Sequence, residues 1–307
     1  MRTLLAALIL STLAAAQQEV SLDQFGGDLR AAISAVQAPG VVRVPAGDWP
    51  QAFGPIELPT DISLQGAGAR VSRLSFPGPG LVLPDGSRRQ EIRSLALLGP
   101  ITWSSPERAG IHLVRGVRSV VIRDTYIRGW DIGIRITHSW SVILDHVVLN
   151  NHASTAVKME DGVNCVTLRD CEIGLCQLGV AVNGAANCVQ LIGGRVEGVA
   201  RGVAFGPKCH GGRIAGVYFE NLSDYAVLAQ GPSQTIENCM LNGYYAQGPV
   251  VPVLIKLVAE DKQRCVLTLR SNRFRNATVG IQRFGRWKIG HVKLNEWESS
   301  TIGRPLK

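Results

Sequence analysis

The sequence has 307 residues, of which 46% are hydrophobic and only 18% are charged. Its 32 basic and 24 acidic residues leave a net charge of +8, and glycine occurs 34 times. This apolar content can form a large core, which excludes a disordered chain, and the composition also excludes collagen, a coiled coil and a polytopic membrane protein.

Residues 1–16 have the pattern of a secretory signal peptide. Arg2 gives a positive start, the apolar run Leu4–Leu13 is too short for a bilayer of about 30 Å, and Ala14-Ala15-Ala16 fits a cleavage site. We therefore expect cleavage before Gln17 and a secreted or periplasmic protein, with an uncleaved helix or anchor as the alternative. No later apolar run is long enough to cross a membrane, so no membrane contact is expected after cleavage.

Residues 28–36 form the first predicted helix, because their apolar residues recur at helical spacing. Turn motifs follow at Pro45-Ala46-Gly47 and at Leu64-Gln65-Gly66-Ala67-Gly68, between short apolar segments. The amino-terminal region is therefore predicted to form one short helix followed by strands and turns.

From residue 110 the sequence repeats with a period of 23 residues. Apolar residues alternate within each repeat, which is typical of strands with one buried face, and Gly, Asn, Asp and Ser between them are typical of turns. A small residue followed by Ile or Val marks each repeat, at Gly110-Ile111, Gly133-Ile134, Ala156-Val157, Gly179-Val180 and Gly202-Val203, and Ala226-Val227 follows after 24 residues.

Three short strands and three turns in each repeat predict one coil of a right-handed parallel β-helix. Neighbouring coils pair at about 4.8 Å, and equivalent apolar residues stack through the core. A leucine-rich repeat would need a Leu-x-x-Leu-x-Leu pattern with a helix, and a propeller would need blades of about 40 residues. The predicted fold class is therefore all-β, a solenoid with a short N-terminal capping helix.

The repeats, the predicted helix and the two turn motifs together resemble the pectate-lyase-like superfamily of single-stranded right-handed parallel β-helix proteins. The resemblance covers about residues 20–296. It implies one domain at 17–307, made of a cap at 20–50, coils at about 51–296 and a tail at 297–307. In the enzymes of this superfamily, the outer face of the first strand of each coil forms the polysaccharide groove.

The first strands of neighbouring coils carry a polar, net basic patch on their outer face. His112, Arg135 and Lys158 occupy equivalent positions and are expected to form one column, beside a second column that contains Glu160 and Asn183. The flanking positions add four more predicted site residues: His138, Asp161, Trp130 and Trp140.

Stacked cations repel one another, and this repulsion is relieved when an anionic chain lies across them. The strand spacing of about 4.8 Å is close to the charge repeat of an acidic polysaccharide, and arginine can hold a carboxylate with two hydrogen bonds. We therefore expect a lyase that cleaves a uronate-containing polysaccharide. Catalysis is assigned to His138, Lys158, Glu160 and Asp161, and substrate binding to His112, Arg135, Asn183, Trp130 and Trp140.

Two other functions stay open. A glycoside hydrolase needs two carboxyls about 5–5.5 Å or 6.5–9.5 Å apart, whereas Glu160 and Asp161 are sequence neighbours whose side chains should diverge. The paired aspartates of polygalacturonases are missing, as is the acidic cluster of calcium-dependent pectate lyases. A non-catalytic carbohydrate-binding, adhesin or phage-tail module is the main alternative to an enzyme.

The predicted partner is an acidic polysaccharide. The arginines are dispersed along the chain, so nucleic-acid binding is not expected. No metal ligands are predicted and no cofactor is expected, with calcium as the one ion that a lyase of this kind could use. Both a monomer and a homotrimer are compatible with a solenoid of this type.

The chain contains seven cysteines, an odd number that leaves at least one thiol outside any internal disulfide. Cys165 and Cys188 are equivalent residues of neighbouring coils and are expected to lie within disulfide reach. The alternative for these cysteines is a small apolar residue of the core ladder.

The remaining irregular features have structural interpretations. Asp124, His146, Asp170 and Asn238 are equivalent residues that are predicted to form the tight turn between the second and third strands. An insertion at 246–263 is expected to form a wall beside the groove or a partner contact.

Overall fold

The computed structural model is a stack of short parallel strands over most of the chain. The predicted signal peptide at 1–16 and most of the predicted tail lie outside the residues that it describes. Within those residues, no helix is long and apolar enough to cross a membrane. The described ranges are 17–100, 107–243, 253–259, 265–276, 279–285, 287–293 and 295–298.

The strands of the described residues form three parallel sheets. Sheet 1 contains β4 (Ile56–Glu57), β7 (Leu81–Leu83), β10 (Ala109–Leu113), β13 (Ile132–Thr137), β16 (Thr155–Glu160), β19 (Leu178–Asn183), β22 (Arg201–Phe205), β26 (Tyr225–Ala229), β29 (Val253–Val258) and β32 (Val279–Phe284).

Sheet 2 follows sheet 1 in each coil. It contains β1 (Gln18–Ser21), β2 (Gly40–Val44), β5 (Ile62–Gly66), β8 (Glu91–Arg93), β11 (Arg118–Arg123), β14 (Trp140–Asp145), β17 (Val163–Arg169), β20 (Ala186–Ile192), β23 (Cys209–His210), β24 (Arg213–Ala215), β27 (Gln234–Glu237), β30 (Cys265–Arg270) and β33 (Trp287–Lys293).

Sheet 3 completes the coil and, within the described residues, has eleven strands. It contains β3 (Gly47–Pro50), β6 (Ser72–Ser75), β9 (Ala96–Leu98), β12 (Tyr126–Arg128), β15 (Val148–Asn150), β18 (Glu172–Gly174), β21 (Arg195–Glu197), β25 (Tyr218–Glu220), β28 (Met240–Asn242), β31 (Arg273–Arg275) and β34 (Glu296–Glu298).

The register of the sheets follows the repeat of the sequence. Ile111, Ile134 and Val157 are direct neighbours across β10, β13 and β16, and all three are fully buried. Side chains alternate along a strand, so Ile111 faces the core while the next residue, His112, faces outward. The predicted right-handed parallel β-helix is confirmed, with about 11 turns.

A short helical cap covers the N-terminal end of the solenoid. A 3-10 helix at Leu22–Phe25 leads to the predicted helix, α1 (Leu29–Ala35). The Asp28 side chain caps α1 by accepting hydrogen bonds from the next backbone N–H groups, and Leu29 and Ile33 are buried against the core. This cap covers apolar core that the first coil would otherwise expose.

The turns between sheets 2 and 3 have the predicted tight geometry. Asp124, His146, Asp170 and Asn238 all have positive φ, between 48° and 53°, the left-handed region that Asn and Asp tolerate best. The residue after each of them points inward. The Cys171 thiol there donates to the backbone carbonyl of Leu144, and burial raises the pKa of this thiol to about 12.

The insertion at 246–263 contains a core strand. β29 lies inside it, and Ile255 pairs in register with Val227 of the preceding coil. Ranges 244–252 and 260–264 lie outside the described residues. The described part of the expected wall is therefore another strand of sheet 1.

Cys165 and Cys188 stack as predicted. They lie opposite each other on β17 and β20, between the in-register pairs that flank them, and both are exposed. Both have a positive φ of 54°. The other thiols are buried or half-buried, and all seven cysteines are free thiols in this structure.

Candidate functional site

The outer face of sheet 1 brings the two predicted columns together. His112, Arg135 and Lys158 are in-register neighbours on β10, β13 and β16. Glu160 and Asn183 are likewise in register on β16 and β19, two residues further along their strands. The repeat of 23 residues therefore places these side chains on adjacent strands of one sheet face.

Arg135, Lys158 and Glu160 form a compact charged cluster. Arg135 Nε lies 2.6 Å from Glu160 Oε2, and Lys158 Nζ lies 2.7 Å from Glu160 Oε1. The three side chains are only 24%, 19% and 19% exposed. Burial alone would raise the pKa of the Glu160 carboxyl, but the hydrogen bonds from Lys158 and Arg135 outweigh it and hold the pKa below its usual value. Glu160 is therefore ionised near neutral pH.

A second carboxylate, Glu107, lies across the same two cations. Its Oε2 is 3.2 Å from Arg135 Nη1, its Oε1 is 3.5 Å from Lys158 Nζ, and its side chain is 59% exposed. The backbone N–H of Glu107 donates to Asp131 Oδ2 at 2.7 Å, which fixes the turn that carries it. We call Glu107, Arg135, Lys158 and Glu160 the sheet 1 cluster.

The sheet 1 cluster corrects the predicted basic patch. Its two cations face two carboxylates, so its formal charges cancel. The repeat pattern does not identify Glu107, because this residue precedes β10 in a turn and has no equivalent acidic residue in the neighbouring repeats. The Arg135 and Lys158 side chains are already paired with Glu107 and Glu160. A ligand must therefore displace one of these carboxylates or bind beside them.

His112 lies beside the cluster in a half-buried position. Its Nε2 is 3.4 Å from Thr137 Oγ1. Burial is the main cause that lowers the pKa of His112, and the charge of Arg135 lowers it further. The imidazole is therefore neutral near neutral pH and has the protonation state of a general base.

His138 and Asp161 are turn residues at the ends of their strands. Both have positive φ, and their backbone N–H groups continue the ladder between coils, to Glu160 and Asn183 respectively. The His138 ring meets Trp140 edge-on, with 5.4 Å between ring centroids. Within the described residues, no hydrogen bond or ion pair joins the His138 or Asp161 side chain to the sheet 1 cluster.

The two predicted tryptophans differ in exposure. Trp140 is 37% exposed, whereas Trp130 is only 2% exposed. The Trp130 indole packs against Phe76 and donates from Nε1 to the Gly78 carbonyl at 2.9 Å. Stacking of Trp130 on a sugar is excluded by this burial, so it is a core residue.

The described part of the chain contains no cluster of candidate metal ligands. No group of three or more His, Cys, Asp or Glu side chains is arranged there to hold a metal ion. The carboxylates of the sheet 1 cluster are already engaged by Arg135 and Lys158. These residues do not fit the acidic calcium cluster of the pectate lyases.

No protein-family model matches the sequence, and no curated protein is significantly similar to it. Solved structures do resemble it. The enzymatically active domain of bacteriophage CBA120 tailspike protein 2 gives a TM-score of 0.73 at 13% identity, over 88% of this chain and 46% of the other. DFA-IIIase from Arthrobacter chlorophenolicus, without its lid, gives 0.66 at 12% identity, over 96% and 90%.

The A-module of a mannuronan C-5 epimerase from Azotobacter vinelandii gives a TM-score of 0.64 at 14% identity, over 93% of this chain and 99% of the other. Identities this low establish a shared fold, not a shared reaction. This chain spans about half of the tailspike domain and nearly all of the epimerase module. The protein therefore shares the fold of these right-handed parallel β-helix proteins.

Proposed function

We propose that this protein is a secreted polysaccharide-active protein that binds a uronate-containing chain across sheet 1 and cleaves it as a lyase. The observation that carries the proposal is the carboxylate of Glu107, which bridges Arg135 and Lys158 from the solvent side. A sugar carboxylate has the same shape and charge, and it can take the same place when Glu107 swings away. The fold neighbours include proteins named as a mannuronan epimerase and an alpha-1,3-glucanase, which supports a polysaccharide as the ligand.

The proposed lyase step uses three side chains of sheet 1. Arg135 and Lys158 bind the uronate carboxylate and stabilise the negative charge that develops on it. Neutral His112 takes the C5 proton, a C4–C5 double bond forms, and the C4–O bond breaks. The leaving oxygen takes its proton from solvent water, and the His112 imidazolium returns its proton to solvent. Lys158 Nζ lies 2.7 Å from Glu160 Oε1 and donates to it, so Lys158 is assigned to carboxylate binding in this step.

The second candidate function is binding without catalysis. It is favoured by the sheet 1 cluster itself, since two carboxylates already neutralise two cations and no acid–base pair outside the cluster contacts it within the described residues. A module of this kind would hold a glycan chain along the solenoid.

The deciding experiment follows the ultraviolet absorbance of the unsaturated uronide product on a panel of acidic polysaccharides, with and without calcium. The wild-type protein is compared with His112→Gln, with Arg135→Ala/Lys158→Ala and with Arg213→Ala. Arg213 is a matched control because it is an ion-paired, exposed arginine on sheet 2. Loss of product in the first two variants alone supports the lyase.

Two other results overturn it in different ways. Glycan binding that depends on Arg135 and Lys158, with no product and no new reducing ends, leaves a binding module. If no uronate polymer is bound and none is cleaved, the assignment of this face to an acidic polysaccharide is overturned.

A further inference from the structure

The outer face of sheet 3 carries a depression that the sequence analysis did not find. It has a volume of about 440 Å³ and crosses the strands from β6 to β18. Typical ligand sites have volumes of about 300–1,000 Å³. Sheet 3 is a different face of the solenoid from sheet 1, so this depression is separate from the sheet 1 cluster.

The depression arises from the size of successive side chains in one column. Arg73, Ala96, Tyr126, Val148 and Glu172 are in register on five neighbouring strands. Ala96 is small and lies between two long side chains, which leaves a gap with an apolar floor. The Tyr126 ring stands at the edge of this gap as a half-buried aromatic surface.

Three arginines and one carboxylate, Glu172, line the depression, and Glu172 is paired with Arg195 at 2.9 Å. Within the residues that the structure describes, neither the Arg70 nor the Arg128 guanidinium forms a hydrogen bond or an ion pair. Arg73 is held by Asp48, with Nη2 2.6 Å from Oδ2. Arg70 and Arg128 thus differ from Arg135 of sheet 1, whose charge is already matched by Glu160.

The depression continues along the solenoid. A second hollow of about 210 Å³ shares Val148 and Glu172 with the first and extends over Gly174, where a missing side chain deepens the surface. Polar groups that can bond to hydroxyls line this second hollow, among them Asn150 and Glu197. An elongated surface with an aromatic edge, an apolar floor and polar walls suits a chain of sugar rings.

We propose that this surface, the sheet 3 groove, binds an acidic oligosaccharide. Tyr126 stacks on the apolar face of one sugar ring, and Arg70 and Arg128 bind carboxylate groups of the chain. The remaining sugars run over Val148 toward Asn150. The sheet 3 groove is a second glycan site that operates whether or not sheet 1 cleaves a polysaccharide.

The test measures the affinity of defined oligouronates and of neutral oligosaccharides of equal length by calorimetric titration. Every protein carries Arg135→Ala/Lys158→Ala, which removes oligouronate binding by sheet 1. This reference variant is compared with the same protein after Arg70→Ala/Arg128→Ala, after Tyr126→Ala and after the control Arg213→Ala. Loss of two charge-assisted contacts should weaken oligouronate binding at least tenfold, and Tyr126→Ala should weaken it several-fold. The control should bind as the reference variant does, and neutral sugars should bind much more weakly.

The reference variant also separates the two faces. Arg135→Ala/Lys158→Ala should abolish lyase activity while oligouronate binding at the sheet 3 groove persists. The conservative Arg70→Gln/Arg128→Gln pair, with unfolding midpoints for every variant, distinguishes a lost contact from a lost fold. The proposal is overturned when the reference variant does not bind oligouronates, when the Arg70/Arg128 double variants bind them as tightly as the reference variant, or when neutral sugars bind equally well.

Discussion

Arg135 and Glu160 lie on adjacent strands of sheet 1, joined by a 2.6 Å contact from Nε to Oε2. Both side chains are mostly buried, at 24% and 19% exposure, so water screens their attraction only in part. Glu160 also accepts from Lys158, so one carboxylate satisfies two stacked cations. Glu160 therefore stabilises the sheet 1 cluster, because its carboxylate offsets the repulsion between Arg135 and Lys158.

Replacing Glu160 by glutamine should therefore destabilise the fold by about 1–2 kcal/mol, less than a fully buried pair would lose. The pKa of Glu160 is lowered in the folded state, so its contribution is present above the unfolded-state pKa of about 4.3 and is lost as the pH falls through the folded value. Denaturant unfolding at several pH values checks this. The difference between wild type and Glu160→Gln should shrink in acid, and a constant difference would contradict the assigned ionisation.

Much of the fold could be predicted because the repeat imposes one local rule many times. Ile111, Ile134 and Val157 each need the same inward position, so the spacing alone gives both the strand and its neighbour. The same spacing also predicted that Arg135 and Lys158 are adjacent. In a regular solenoid the spacing of the repeats determines the register of the strands. The positions of side chains on these strands can therefore be predicted from the same spacing.

The turns could not be predicted in this way. Glu107 reaches the cluster from a turn without an equivalent in the next coil. Trp130, also in a turn, folds inward because glycines leave room for it, and a Cβ at Gly110 would lie 2.7 Å from its ring. The sheet 3 groove depends on the sizes of neighbours such as Ala96 and Tyr126, which a search for charged motifs does not weigh.

Replacing Glu107 by glutamine should raise the affinity of sheet 1 for oligouronates by several-fold. Its carboxylate bridges the Arg135 and Lys158 side chains and must leave before a sugar carboxylate binds there. Calorimetric titration in the background Arg70→Ala/Arg128→Ala isolates sheet 1 from the sheet 3 groove. Glu237→Gln is the matched control, because Glu237 pairs with an arginine on sheet 2. Equal or weaker binding by Glu107→Gln would remove the idea that Glu107 stands in for a ligand carboxylate.

The pH dependence of the proposed lyase should reflect His112. Its pKa is lowered, first by burial and then by Arg135, so the neutral base persists to lower pH than for an ordinary histidine near 6.5. The acid limb in the pH profile of kcat/KM should therefore have its midpoint below pH 6.5. This midpoint should move to higher pH when Arg135 is replaced by glutamine, because the charge of Arg135 lowers the pKa of His112. His112→Gln should reduce kcat by about 10²–10⁴-fold without an equal change in KM. An acid limb that survives in residual His112→Gln activity would assign the base elsewhere.

His152 should make the fold sensitive to mild acid. It is only 1% exposed, and burial lowers its pKa to about 4. The unfolded chain binds the proton near pH 6.5, so stability should fall as the pH drops from about 6.5 to about 4, by about 3 kcal/mol in total. His152→Leu should flatten this window in denaturant unfolding experiments. His210→Leu, at an exposed position on β23, is the control and should retain the wild-type dependence.

Cys165 and Cys188 should close into a disulfide between coils under oxidising conditions. They face each other on strands spaced about 4.8 Å apart, within the Cα separation of about 4.4–6.8 Å that a disulfide spans. Oxidised glutathione would accept the two electrons, releasing two glutathione thiols as the protein loses two hydrogens. Peptide mapping by mass spectrometry should find this one bond and no adduct on buried Cys171. The disulfide should stabilise the fold by about 2–4 kcal/mol in unfolding experiments, and Cys188→Ser should abolish the gain. A Cys165 that forms only mixed glutathione adducts in the wild type would show that the two thiols cannot meet.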